Sequence, residues 1–288
     1  MKLAFSTVAC PDWTLARVLE SAAQWSFAGV ELRTFGYGST RTACDPALTG
    51  GDKVADLFED AGIEPAGLAT GITYDEPVFP PVIGRAIGDF EKSVRLTKSA
   101  VEIAQGASLP FVRVFPFEVQ PGEARNRGLR RILERLDLAA RTARHTGVRL
   151  LLENGGSFAK AQDLIEIIDT IASPWLAASY SVTAACAADE DPVEGLRALG
   201  RRCEVVRIGD VRDGAHVPLG DGLLPVGDVV RAMSASNSRQ WIVHEWPRLW
   251  LPDLAPPEDV LPKTAERCYQ WWGEGQGEGS PTRAAAAV

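Results

Sequence analysis

The chain lacks any apolar run long enough to span a membrane, so a soluble protein is expected. It is short of positive charge. Thirty lysines and arginines (30) face 38 aspartates and glutamates, a net charge of -8, which argues against a nucleic-acid partner. Cysteine is sparse and unpatterned: Cys10, Cys44, Cys186, Cys203 and Cys268 form no CxxC and no regular spacing, which speaks against a disulfide framework and fits a reduced, cytoplasmic setting. LAFSTVAC after Lys2 loosely resembles a lipoprotein cleavage site at Cys10, but its apolar part is too short and its basic region is one lysine, so export is not expected.

What the 288 residues do contain, at 45% hydrophobic, is a repeated alternation of short apolar runs and amphipathic helical segments. VRLLLENGG (148–156) is the clearest unit: an apolar strand that delivers Glu153 at its end and then turns on two glycines. The other runs are KLAFS (2–6), GVELR (29–33), EPAGLAT (64–70), FVRVFPF (111–117), PWLAASYS (174–181), CEVVRIGD (203–210) and QWIVHEW (240–246). Helical segments are expected near 12–25, 52–62, 83–105, 122–145, 160–172, 192–200, 226–236 and 258–272. In 83–105 the inner stripe is Ile87, Phe90, Val94 and Val101.

Strand and helix in strict alternation at this length predict a (β/α)₈ TIM barrel, a single domain over 1–272. The low-complexity tail 273–288 is expected to be disordered. An open doubly wound sheet would want a glycine-rich turn after the first strand, and here that turn is TVACPDW.

In such a barrel the site lies at the C-terminal ends of the strands. The polar residues there are Glu31 and Arg33, Arg113, Glu153, Ser179 and Ser181, Arg207 and Asp210, and His244 and Glu245. Alternation that turns Glu245 inward with Val243 turns His244 outward towards the helices. Ionisable groups inside a barrel are costly unless paired or used.

The series KLAFSTV, GVELR, LLLENGG, EDPVEGLRALG, HVPLGDG and WIVHEW resembles the xylose isomerase-like barrels, the sugar phosphate isomerases and epimerases, over about 1–250. The resemblance implies a small polyhydroxylated or keto substrate and a possible homodimer. It also implies one divalent metal held by Glu, Asp, His and Glu at the ends of strands five to eight, with the two glutamates shuttling a proton beside a carbonyl. Glu153 and Glu245 match the first and last of these positions. The other two depart: Ser181 stands for the Asp (Tyr180 if the alignment slips by one), and Arg207, anchored by Asp210, stands for the His. Neither is a ligand for a hard divalent ion, and a guanidinium carries the positive charge the metal would supply.

No cofactor is therefore expected, with Arg207 replacing the metal between Glu153 and Glu245. Two outcomes stay open. One is proton transfer α to a carbonyl by an isomerase or epimerase, with a lyase or dehydratase on the same frame as the alternative. The other is a salt bridge that plugs the old site and leaves a ligand-binding barrel without catalysis. DNA-repair endonucleases of related fold resemble this chain less, since they use a histidine-rich multi-zinc site and three histidines are present here.

Glu31 and Arg33 orient substrate hydroxyls or pair with each other, and Arg113 holds a substrate carboxylate or phosphate or forms a structural ion pair. His216 lies in a rim loop as a candidate substrate contact, and His145 ends a helix as a dipole cap. Helix 122–145 keeps Arg127, Arg130, Arg131, Arg135, Arg141 and Arg144 largely outside. Trp13, Tyr74, Phe79, Trp246 and Trp250 are candidates for an aromatic rim, or for packing. GDG at 220–222 reads as a turn.

Overall fold

The structure is a computed structural model that describes residues 1–76 and 91–278. Its strands are β1 (Lys2–Ser6), β2 (Gly29–Arg33), β3 (Glu64–Thr73), β4 (Phe111–Phe115), β5 (Arg149–Glu153), β6 (Leu176–Ser181), β7 (Cys203–Ile208), β8 (Asp210–Arg212), β9 (Ala215–Val217) and β10 (Trp241–His244). All but β8 and β9 close a parallel barrel in chain order, with β10 returning to pair with β1. The expected (β/α)₈ barrel is the fold.

The outer layer is formed by α1 (Leu15–Gln24), α2 (Gly51–Ala61), α3 (Lys92–Gly106), α4 (Arg125–Thr142), α5 (Ala161–Ile171), α6 (Val182–Ala187), α7 (Pro192–Leu199), α8 (Val226–Ala235) and α9 (Pro257–Glu278). Local chemistry starts them. Thr14 Oγ1 accepts from Arg17 N at the head of α1, and Asp191 accepts from Val193 N (2.8 Å) and Glu194 N (3.2 Å) ahead of Pro192 in α7.

Several boundaries differ from the sequence reading, each for a local reason. β4 stops at Phe115, and Phe117 adopts a positive φ of 74°. β7 stops at Ile208, and the expected loop after it contains the antiparallel hairpin β8–β9. β10 stops at His244, so Glu245 stands just past its strand. α6 was not foreseen, because an alanine-rich single turn carries no apolar period to read. α9 continues through 273–278, the first part of the tail expected to be disordered; 279–288 lie outside the described residues. So do 83–90, with Ile87 and Phe90, and the rim candidate Phe79. Val94, expected inside, is half-buried, while Thr97, Ala100, Val101 and Ala104 make the inner face of α3.

Pleat alternation splits the core in two. Outward residues such as Leu3, Phe5, Leu32, Leu150, Leu152 and Ile242 pack under the helices. Inward residues Ala4, Ala66, Leu151, Ala177, Val205, Trp241 and Val243 fill the base of the barrel, with Phe111 against them. Two residues further along the same strands, the inward positions become Ser6, Arg113, Glu153, Ser179, Arg207 and Glu245. The barrel is therefore an apolar plug capped by a charged layer.

Trp241 makes the plug possible only because Gly29 has no side chain: a Cβ there would lie 2.6 Å from the indole and 2.7 Å from Glu64 O. Gly29→Ala is expected to destabilise by about 1–3 kcal/mol, since one partner is backbone and cannot yield. Urea unfolding checks this as a lower midpoint at unchanged slope.

Candidate active site

The charged layer is organised by Arg207. Its Nη1 donates to Glu31 Oε1 at 2.5 Å and its Nη2 to Glu31 Oε2 at 3.0 Å, a two-pronged pair. Nη2 also donates to Glu245 Oε2, and Nε lies 3.1 Å from Glu153 Oε2, in ion-pair contact but out of line for a hydrogen bond. Arg113 enters from the opposite side: its Nη1 is 3.3 Å from Glu153 Oε2 and 2.9 Å from Glu245 Oε2. Ser179 Oγ donates to Glu153 Oε2 at 3.0 Å. Three carboxylates thus share two guanidinium groups inside the barrel.

The three acids are not equivalent. Burial pushes the Glu31 and Glu245 carboxyls up, but Arg207 and Arg113 outweigh it and hold both below the ordinary carboxylate range. At Glu153 burial wins over the same two arginines, and with Glu245 and Glu31 nearby its pKa is raised. Arg33, also buried, lies near enough to act on Glu31 and Glu245, so three guanidiniums stand with the three carboxylates. Burial opposes the charge on Arg207 and Arg113, yet their carboxylate partners keep both firmly protonated.

Beside this layer a cavity of about 300 Å³ is lined by Glu153, Ser181, Arg207, His216 and Glu245 among others, so five of the sequence candidates meet at one opening. Glu245 faces it most openly, its side chain 27% exposed against 8% for Glu153. Ser181 is on this side and Tyr180 is not: the pleat turns Tyr180 outward, where its hydroxyl donates to Glu190 Oε2 at 2.6 Å. Of the two candidates it is Ser181 that faces the cavity, and its Oγ also caps α6 at Ala184 N. Asn154 ties the end of β5 to β6, accepting from Ser181 N at 2.6 Å and donating to Ser181 O at 3.1 Å. Asp210 receives the backbone N–H groups of Val211, Gly220, Gly222 and Leu224 at 2.8–3.2 Å and so pins the loop beyond β9 and His216; Gly220 turns there at φ 81°.

Other sequence readings change. Glu31 pairs with Arg207 and not with Arg33, because residues two apart on a strand stand side by side while Arg207 reaches across the barrel. Arg113 is ion-paired with Glu153 and Glu245. Arg135, placed outside by helical period, is buried and donates to Tyr74 O at 2.9 Å and Glu76 O at 2.5 Å. Trp13, Tyr74 and Trp246 are buried packing residues: Tyr74 bonds Thr97 at 2.7 Å and Trp246 donates to Ala255 O at 2.9 Å. Of the rim candidates described, Trp250 is exposed. His244 faces the helices as expected, 3.2 Å from Thr264 Oγ1, with burial lowering its pKa to about 3. The sequence reading undervalued Ser179 and Asn154; Ser179 shares the inward parity of Ser181, and that was the available signal.

The residues do not fit the divalent ion that barrels of this kind use. Glu153 and Glu245 offer oxygens, but the Arg207 guanidinium already lies against Oε2 of each, and a cation cannot ligate a cation. Among the described residues no group of three or more His, Cys, Asp or Glu side chains could hold a metal ion.

The family model described as a xylose isomerase-like TIM barrel matches residues 19–271. Solved structures similar to the chain include L-ribulose 3-epimerase, at 14% identity and a TM-score of 0.79, covering 99% of this chain and 99% of that one. Another is the probable 3-DHS dehydratase AsbF of Bacillus anthracis, at 13% identity and TM-score 0.74, covering 92% and 98%. A third is the IOLI protein with a binding zinc atom, at 15% identity and TM-score 0.73, covering 98% and 100%. At these identities the likeness is one of fold. No curated protein matches the chain. No helix among the described residues is long and apolar enough to cross a membrane.

The depressed carboxyl of Glu245 has a pH signature. Its folded pKa lies below the ordinary 4.5, so its contribution to stability is complete above about pH 4.5 and is lost as pH falls towards the folded value. Glu245→Gln removes that contribution. Its Tm is expected to fall less steeply than the parent's between about pH 5 and about pH 3, measured by calorimetry. Parallel curves would show that the carboxyl is not held ionised.

Proposed function

The chain belongs to the xylose isomerase-like TIM barrel family, and on that footing we propose that it moves a proton α to the carbonyl of a small polyhydroxylated or keto substrate, with Arg207 supplying the fixed positive charge in place of a metal ion. The observation that carries this reading is the position of the guanidinium on Glu31, Glu153 and Glu245 together. Family membership supports an isomerase- or epimerase-like activity; the proton route and the metal independence are the proposal.

The three acids divide the work by their environments. Glu245 is ionised and faces the cavity, so it is the base. Both arginines bind its Oε2, and no arginine meets Oε1 among the described residues. As Glu245 takes the proton, the electron pair of the broken C–H bond passes to the carbonyl oxygen. The enediolate that forms is met by the N–H groups of Arg207 and Arg113, which are drawn off Glu245 as its charge is quenched. Glu153, whose pKa is raised, holds a proton to return. Given to carbon, that proton completes an isomerisation or epimerisation. Given to a β-hydroxyl that leaves as water, it completes an elimination, and this second reading is favoured by the same protonated carboxyl. Glu31 pairs with Arg207 through both carboxylate oxygens and fixes its guanidinium; it is a positioning residue.

The test is solvent exchange in deuterium oxide across a panel of ketoses and keto acids, with a chelator present throughout, read by mass spectrometry. The expected result is deuterium at the α-carbon despite the chelator, slowed about 10²-fold or more in Glu245→Gln. Exchange that appears only when a divalent metal is restored would overturn the assignment of Arg207. An unsaturated product would select elimination over epimerisation.

A further inference from the structure

Four arginines are buried among the described residues: Arg33, Arg113, Arg135 and Arg207. Arg113 and Arg207 face carboxylates, and Arg135 faces two backbone carbonyls. Arg33 is different. It is 7% exposed and, among the described residues, its guanidinium makes no ion pair; its Nε, like those of Arg113 and Arg207, has no hydrogen-bond partner there. Its guanidinium instead lies 4.9 Å from the Phe35 ring and 5.6 Å from the Trp250 ring. A buried guanidinium cannot shed its charge cheaply, and no side-chain or backbone acceptor meets this one among the described residues.

The site around it is built. Arg33 is held from behind, its backbone N–H donating to Thr7 Oγ1 at 2.9 Å. Gly71 leaves room for the side chain, since a Cβ there would stand 3.0 Å from Arg33 Nη2. The arginine lines a cavity of about 520 Å³ at the ends of β2 and β3, with Thr34, Phe35, Thr70, Gly71 and Lys92 among the other walls. Lys92 and Glu76 also line the wall and pair with each other at 3.2 Å, so Arg33 is the cation there without an ion-pair partner among the described residues. Burial, with Arg113 adjacent, lowers the Arg33 pKa to about 10, so it remains a cation in neutral solution.

We propose that Arg33 is the docking point for an anionic group of the substrate, a carboxylate or a phosphate, held in this cavity. The proposal rests on the proton-transfer reading above and narrows it to an acidic substrate. Arg33 stands two residues beyond Glu31 on the same strand, roughly 6–7 Å further towards the mouth. The Arg33 cavity and the one lined by Arg207 and Glu245 share no lining residue, but Arg33 lies near enough to act on the charges of Glu31, Arg113, Arg207 and Glu245, so on this proposal a short chain anchored there reaches across to the Arg207–Glu245 contact. The Phe35 and Trp250 rings beside it restrict the guanidinium, whose planar fork suits a two-pronged contact. A neutral polyol would leave the charge as unmet as it is now.

Isothermal titration of the full chain with three six-carbon ketoses tests this: 5-keto-D-gluconate, D-fructose and D-fructose 6-phosphate. The expected result is that one of the two anions binds at least about tenfold more tightly than fructose, and that Arg33→Gln removes this preference while fructose binding stays. A preference for the sugar acid assigns a carboxylate; a preference for the ester assigns a phosphate. Equal binding of all three by the parent protein overturns the proposal without recourse to a variant, as does an anion preference that survives Arg33→Gln. Binding is read separately from deuterium exchange, so anion preference without exchange would fault the proton-transfer reading, and exchange without anion preference would fault this one.

Discussion

A single guanidinium inside the barrel is the constraint on which the upper half of the structure depends. Arg207 is withdrawn from water to 3% side-chain exposure and can exist there only because Glu31, Glu153 and Glu245 surround it. Each acid is in turn admissible only because a cation is present. Removing one partner from such a lattice typically costs about 3–5 kcal/mol, because the others are left buried and unmatched. The apolar plug beneath matters for the same reason. Leu151, Val205, Trp241 and Val243 exclude water from below, which strengthens every charge contact above them.

This lattice is also why the cluster reads as more than a plug. The carboxylates are held unequally: burial raises the pKa of Glu153, while Arg207 and Arg113 hold Glu245 below the ordinary range and open to the cavity. Two acids of unlike proton affinity, both in contact with the same cation, suit the proposed proton transfer.

Much of this was legible in the sequence. The alternation of apolar runs and helical segments gave the barrel, and period two along LLLE, VVR and IVHE gave the inward parity of Glu153, Arg207 and Glu245. What period cannot give is the partner across the barrel. Glu31 and Arg33 are neighbours in the chain, but Glu31 meets Arg207, 176 positions away. Helical period failed at Arg135 for a related reason. The residue lies on the polar side of a stripe, yet the carbonyls of Tyr74 and Glu76 come down to meet it, and no local pattern announces them. The aromatics misled because Trp and Tyr serve equally as core and rim, and only the far end of each side chain decides.

The exchange of a divalent ion for a guanidinium that we propose is not neutral for chemistry. A metal concentrates two charges on one point and polarises a carbonyl directly, whereas an arginine spreads one charge over five donors in a plane. The arginine is therefore the weaker electrophile, and Glu245, held below its usual pKa by two such groups, is the weaker base. The two deficits are linked, since both are set by the same Arg207–Glu245 contact. When the carbonyl oxygen draws the guanidinium towards itself, the contact lengthens and the carboxylate regains basicity at the moment it is needed. On the proposed reading the lattice suppresses its own base at rest and releases it on binding, so that a substrate without an oxygen at that point would leave Glu245 inert.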